Sequence, residues 1–240
     1  MMKKRILTVY SLVVPIAGIA IFVVLYFVAA RFYPGGSNAN PTHKGFDWIN
    51  NYWCDLIASY GKNGSPNTGR TIALTAMITL FASLSVFWFR LPDFFRETQF
   101  ARLFIGYSGI IAMLILVFVF TPYHDAIILI GGSLSAIPFV GTLRELYRNR
   151  WRFLFLFGSF CMALILLNFY SYLSGWLVSL LPLIQKITLV FFLGWVLLIS
   201  LNCILLLRSR KRLAANTCHA NLEKVNYGLD KRHCHQAKDQ

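Results

Sequence analysis

Six runs of apolar residues separated by short polar gaps set the pattern of this chain. They cover about 6–30, 71–89, 103–120, 126–143, 153–170 and 183–207. A helix needs about 20 apolar residues, at 1.5 Å of rise each, to cross the hydrocarbon of a bilayer. The runs meet or approach that length. They predict an all-α fold, a polytopic membrane bundle of six transmembrane helices filling residues 1–207, and leave no stretch for a soluble domain. Two other pieces remain, a first loop of about 31–70 and a tail of 208–240.

The first loop carries a second period. Phe46, Ile49, Trp53, Leu56 and Tyr60 recur at steps of three and four, and Asp47, Asn51 and Asp55 recur at steps of four on the opposite side. That spacing predicts a short amphipathic helix over about 46–60, its aromatic face in the membrane interface or over helix ends. YPGGSNANPTHKG before it and GKNGSPNTGR after it are turn punctuation.

Composition agrees with the spans. The chain is 57% hydrophobic and 13% charged, against about 25% charged in a soluble domain. Its net charge of +14 suggests nucleic acid until the positions are read. With the loops assigned alternately to two sides, four basic groups fall together: Lys3 to Arg5; Arg90, Arg96 and Arg102; Arg144, Arg148, Arg150 and Arg152; and Arg208 to Arg212. Lys and Arg accumulate in cytoplasmic loops. Both termini are therefore expected to be cytoplasmic, in a multi-pass protein of the cell (inner or plasma) membrane. The partners expected are membrane lipids, with anionic headgroups at the cytoplasmic face, and no nucleic acid. The opening MMKKR resembles a signal peptide, but the apolar run after it exceeds a cleavable core of about 7–15 residues, so it reads as an uncleaved first helix.

Of the five cysteines only Cys54 falls outside, so no outer intramolecular disulfide is expected. The tail reads as basic and disordered, and its Cys218-His219 and His233-Cys234-His235 match no standard zinc spacing.

The candidate chemistry gathers on the outward side. TPYHD, residues 121–125, sets His124 and Asp125 in the gap between the third and fourth spans. Thr121 suits an N-cap, Pro122 the first helical position, and Asp125 the first turn, where a negative charge complements the helix dipole. Capping leaves His124 unexplained. Lys186, beside Gln185, is the Lys or Arg that falls inside a span, and an intramembrane cation calls for a partner. Asp55 is the first choice and Asp125 the second; snorkelling to the surface is the plain alternative. Asn51, Asp55, His124, Asp125, Gln185 and Lys186 are the candidates for an outward-facing polar pocket. No comparable set of His and carboxylates falls inward within the membrane.

Three functions fit these residues. The first is a structural or lipid-interacting membrane protein whose outer ion pairs hold the first loop over the bundle. The second is a metal-dependent hydrolase acting on a lipid headgroup at the outer leaflet. There His43, Asp55, His124 and Asp125 would bind a metal such as zinc, and Lys186 would stabilise developing negative charge. The third is a small-ligand carrier, for which one Lys and no mid-membrane carboxylate is a thin inventory. No P-loop, G-x-S-x-G, H-E-x-x-H or EF-hand motif is present.

Tyr33-Pro34-Gly35-Gly36, Asn51 with Asp55-Leu56, and Asn63-Gly64 with Asn67, followed by five further helices, resemble the uncharacterised six-helix membrane family known as domain of unknown function 998. More distantly they resemble the DRAM/Frag/Sfk-type membrane proteins. The resemblance spans most of 1–207 and implies an architecture rather than an activity. Cys54 stands where the family usually has Ser, so no hydroxyl nucleophile is implied there.

Overall fold

The computed structural model describes the backbone of residues 2–236 and the side chains of residues 11–209. The chain forms two compact units, Met1–Ser200 and Leu201–Gln240. Six long helices follow one another: α1 (Met2–Arg31), α2 (Arg70–Arg90), α3 (Gln99–Leu116), α4 (His124–Arg148), α5 (Arg152–Ser174) and α6 (Leu181–Gln236). Short 3-10 turns at Leu91–Phe94 and Val117–Phe120 end the second and third spans, and the described residues contain no strand.

Six segments are long and apolar enough to cross a membrane: Ser11–Arg31, Arg70–Phe94, Gln99–Phe120, His124–Arg148, Arg152–Ser174 and Leu181–Ser209. The protein is thus an all-helical, multi-pass membrane protein. Hydropathy understates several of these segments. The third begins at Gln99 rather than 103 and the fourth ends at Arg148 rather than 143, because backbone hydrogen bonding continues through polar ends until a cap stops it.

Lipid tails are as apolar as Leu, so close approach of helices rather than burial from water must hold the bundle. Gly18 of α1 faces Ser83 of α2, where a Cβ would come within 2.2 Å of the serine side chain. Gly109 of α3 seats the Trp88 ring, and Gly158 of α5 seats Trp195 of α6, whose indole N–H donates to the Leu154 carbonyl at 2.9 Å. Gly131 and Gly132 of α4 do the same against Leu116 and Phe169. Asn168 of α5 donates to the Thr188 hydroxyl of α6. The windows of α4 and α5 are 22% and 17% buried, against 39% for the other four spans, so these two helices form the side most open to lipid.

Two expectations fail. The stretch 46–60 is not an α-helix: it is a series of turns followed by a five-residue 3-10 helix, Trp53–Ile57. The Asp47 carboxylate accepts from the backbone of Ile49 (3.0 Å) and Asn50 (3.1 Å), and Asn51 Oδ1 accepts from the backbone of Asp47 at 2.8 Å. These side-chain bonds compete directly with the helical ladder, as Asp and Asn do. The tail is not irregular either, since the α6 backbone stays helical to Gln236. Residues 208–236 contain no proline and many good helix formers. A helix propagating out of a span needs no new nucleus. The side chains of Cys218, His219, His233, Cys234 and His235 lie outside the described residues.

Candidate functional site: a locked cap

Residues 31–70 fold as a cap at the α1 exit and α2 entry. Its first turn depends on two glycines. Gly35 (φ +128°) and Gly36 (φ +81°) adopt backbone that favours glycine, and a Cβ on them would lie 2.4 Å from the His43 carbonyl and the Asn63 nitrogen respectively. The strand-like pairing that results brings Gly36 N to His43 O (2.8 Å) and Asn63 N to Gly35 O (3.2 Å). The buried Tyr33 hydroxyl accepts from Lys62 N at 3.1 Å.

Two asparagines close the other half. Asn63 donates to the Pro34 carbonyl at 3.0 Å. Asn67 donates to the carbonyls of Leu56 (2.9 Å) and Ala58 (3.0 Å) and accepts from Gly69 N at 3.0 Å. A hydroxyl of α1 joins in, as Tyr26 donates to the Trp53 carbonyl.

The centre of the cap is Asn51, fully buried. Its amide donates to the Gly36 carbonyl and to Asp55 Oδ2, both at 2.9 Å. Asp55 Oδ2 also accepts from Tyr52 N at 2.9 Å, and its other oxygen lies 3.6 Å from Lys62 Nζ. Of the three residues spaced at four, Asn51 and Asp55 therefore point inward.

Lys186 reaches this centre from α6. Its ammonium donates to the Asn51 carbonyl and, at 3.1 Å, to the carbonyl of Pro182, and lies 5.8 Å from the Phe46 ring. Lys186 is 8% exposed, so it does not snorkel. Neither expected partner holds: no carboxylate lies within ion-pair distance of Lys186 among the described residues, Asp55 pairs with Lys62, and Asp125 pairs with His124. Backbone carbonyls satisfy the cation instead. Gln185, half-buried beside it, makes no side-chain hydrogen bond among the described residues.

His124 and Asp125 form a separate pair at the start of α4, with Nδ1 2.9 Å from Oδ1. His124 Nε2 is buried without a partner, while Asp125 is 74% exposed. Asp125 occupies the first helical turn as expected, but Thr121 is not the N-cap: Tyr123 holds that position and the Thr121 hydroxyl is buried and unpartnered. The 3-10 turn Val117–Phe120 takes up the preceding backbone and delays the helix start to His124.

The four metal candidates are not gathered. His43 acts on Asp47, Asp55 belongs to the Asn51 network, and His124 is paired with Asp125. No three His, Cys, Asp or Glu side chains converge among the described residues. Burial works to raise the Asp47 carboxyl, but hydrogen bonds from Asn50 and Ile49 and the nearby His43 outweigh it and hold it below its ordinary value. Burial, followed by the Asp55 charge, pushes the Cys54 thiol up to about 11. Cys54 is therefore no ready nucleophile at neutral pH.

Sequence reasoning missed a buried carboxylate at the opposite, basic end. Glu145 of α4 is 1% exposed; it accepts from Arg96 N at 2.7 Å and from Arg148 at 3.1 Å. Glu97, in the turn before α3, accepts from Arg144 (3.1 Å) and Arg148 (2.6 Å). The available signal was a carboxylate near the helix end with Arg one residue before it and three after.

No family model, no curated protein and no solved structure matches the chain. Fold and site together define a class only: a six-helix, multi-pass membrane protein with a folded cap.

Proposed function

We propose that this is a structural, lipid-interacting protein of the plasma membrane, with both termini cytoplasmic and the 31–70 cap closing the outer end of the bundle. The observation that carries this reading is how the ionisable groups of the cap are used. Lys186 donates to the Asn51 and Pro182 carbonyls, and Asp55 accepts from Asn51, Tyr52 and Lys62. These groups hold backbone in place rather than waiting on a substrate. The one-sided basic residues support the orientation and an affinity for anionic headgroups. The resemblance to domain of unknown function 998 fits as well, because Gly35, Gly36, Asn51, Asp55, Asn63 and Asn67 are all ties of the cap. The test is Lys186→Met in the full chain, read as the accessibility of Cys54. A cap that stays shut in that variant refutes the reading.

A second reading, the metal-dependent hydrolase, is favoured by one observation: Asp125 fixes the His124 ring and leaves Nε2 buried and unpartnered. Its measurement is elemental analysis of detergent-purified protein truncated after Arg212. Zinc bound by that protein and lost in His124→Ala supports the hydrolase; its absence from both removes it. The carrier reading has no such observation behind it.

A further inference from the structure

Where α2 ends at Arg90 and α3 begins at Gln99, on the basic face, the turn between them leaves a cavity of about 370 Å³. That volume falls in the range of about 300–1,000 Å³ typical of small-molecule sites. Its two sides differ in chemistry. Phe89, Leu103 and Tyr107 form an apolar wall and are themselves half exposed on the outside of spanning helices, where acyl chains lie. Arg90 and Arg102 stand at the polar rim, with Gly106 in the lining.

The two arginines are underused. Arg90 lies 3.8 Å from the exposed Asp93, a long pair, and 5.2 Å from the centre of the Phe89 ring. Arg102 is half-buried, and its guanidinium has no hydrogen bond or ion pair among the described residues. Arg144 and Arg148, at the same end of the bundle, are instead engaged by Glu97 and Glu145. A guanidinium fork matches phosphate oxygens with paired donors.

We propose that this cavity binds one anionic phospholipid of the adjoining leaflet, with its phosphodiester between Arg90 and Arg102 and an acyl chain along Phe89, Leu103 and Tyr107. The charge argues for a net-negative lipid: two guanidiniums face one carboxylate, and that carboxylate already neighbours Arg90. A zwitterionic headgroup would bring an ammonium to a rim where two guanidiniums outnumber the one carboxylate, Asp93. The apolar wall argues against a soluble anion, which would use the rim and leave the wall bare. The proposal rests on the reading that the basic face meets anionic headgroups, and gives that face a specific site remote from the cap.

The full chain in nanodiscs of phosphatidylcholine and phosphatidylglycerol, released for native mass spectrometry, tests it by counting retained lipid. Wild type retains one phosphatidylglycerol, as does a control with Arg208, Arg210, Lys211 and Arg212 changed to Gln. Arg102→Gln weakens retention by about fivefold, the factor expected for one interfacial arginine. Gly106→Leu abolishes it by filling the cavity, since a Cβ there makes only ordinary contacts with Trp88 O (3.5 Å) and Pro92 Cγ (3.6 Å). If Gly106→Leu does not fold, Tyr107→Ala at the exposed wall carries the same expectation of weaker retention. Retention lost in the tail control but intact in Arg102→Gln and Gly106→Leu overturns the site while sparing the basic-face reading. No preference for phosphatidylglycerol in any form overturns both. Glycerol 3-phosphate binding as tightly as the lipid overturns the lipid assignment in favour of a soluble anion.

Discussion

Lys186→Met removes the ammonium but keeps an unbranched stem of similar length. The buried Asn51 carbonyl loses its donor, while the Pro182 carbonyl keeps its place in the backbone ladder of α6. One unsatisfied buried acceptor sets the gross loss at about 1–3 kcal/mol. Against this, removing a nearly buried charge returns part of its desolvation penalty. Lys186 sits within two turns of the α6 start, close enough to the membrane edge for that return to be partial. The expected net loss is about 1 kcal/mol, which at about 1.4 kcal/mol per tenfold opens the cap roughly fivefold more often. Cys54 reports the opening. In the closed cap Cys54 is half-buried, and burial and Asp55 push its thiol up to about 11 against an ordinary value of 9, so opening raises its rate of reaction at neutral pH. A membrane-impermeant maleimide applied to intact cells, with Cys218 and Cys234 changed to Ser, gives the alkylation rate. Cys161 is buried within α5 and Cys203 lies in the sixth span, both out of reach of such a reagent. A faster rate in Lys186→Met agrees with the lock. An unchanged or slower rate refutes it.

Three further outcomes are expected. Gly36→Ala unseats the cap, because the new Cβ meets the Asn63 nitrogen at 2.4 Å. Gly45→Ala, also at positive φ but with nothing within 4 Å, costs only the backbone penalty of about 1–2 kcal/mol; protease resistance of the cap separates the two. Glu145→Ala strands the Arg96 N–H and weakens the hold on Arg148, lowering stability in detergent by about 3 kcal/mol; a melt matching wild type counts against the buried tie. Finally, the Cys54 thiol has a raised value in the folded cap. Its contribution to stability is thus fully present below pH 9 and is lost as pH rises through about 11. Proteolysis of the cap should accelerate across that window in wild type, and the Cys54-dependent part should vanish in Cys54→Ser. The same slope in both chains sinks the assignment to Cys54.

The spans were legible because hydropathy over some twenty residues is a strong, local signal. The cap was half legible. Phe46, Ile49, Trp53, Leu56 and Tyr60 satisfy a helical template, yet the competing bonds of Asp47 and Asn51 act over two to four residues and defeat it. Periodicity does not weigh such bonds. Lys186 was expected to pair with a carboxylate, and its hydrogen bonds go to backbone carbonyls instead. A search for opposite charge overlooks backbone carbonyls, whose positions exist only once the loop has folded. His43 and His124 bear the right chemistry for a metal site, but their placement depends on loop paths that spacing does not encode. Glu145 went unnoticed because a carboxylate between arginines near a helix end reads as solvated until the neighbouring turn, with Arg96 and Glu97, covers it.

The bond from Lys186 to Asn51 joins residues 135 apart in sequence. Chains are made from the N-terminus onward. Residues 31–70 therefore leave the ribosome long before the helix that fastens them, and five spans must be in place before the last one delivers its ammonium. Until then the Asn51 carbonyl lacks the donor that α6 supplies. Closure of the cap consequently registers that synthesis and insertion have run to the sixth helix. A chain arrested earlier would carry the cap's internal bonds without the tie that joins it to the last helix.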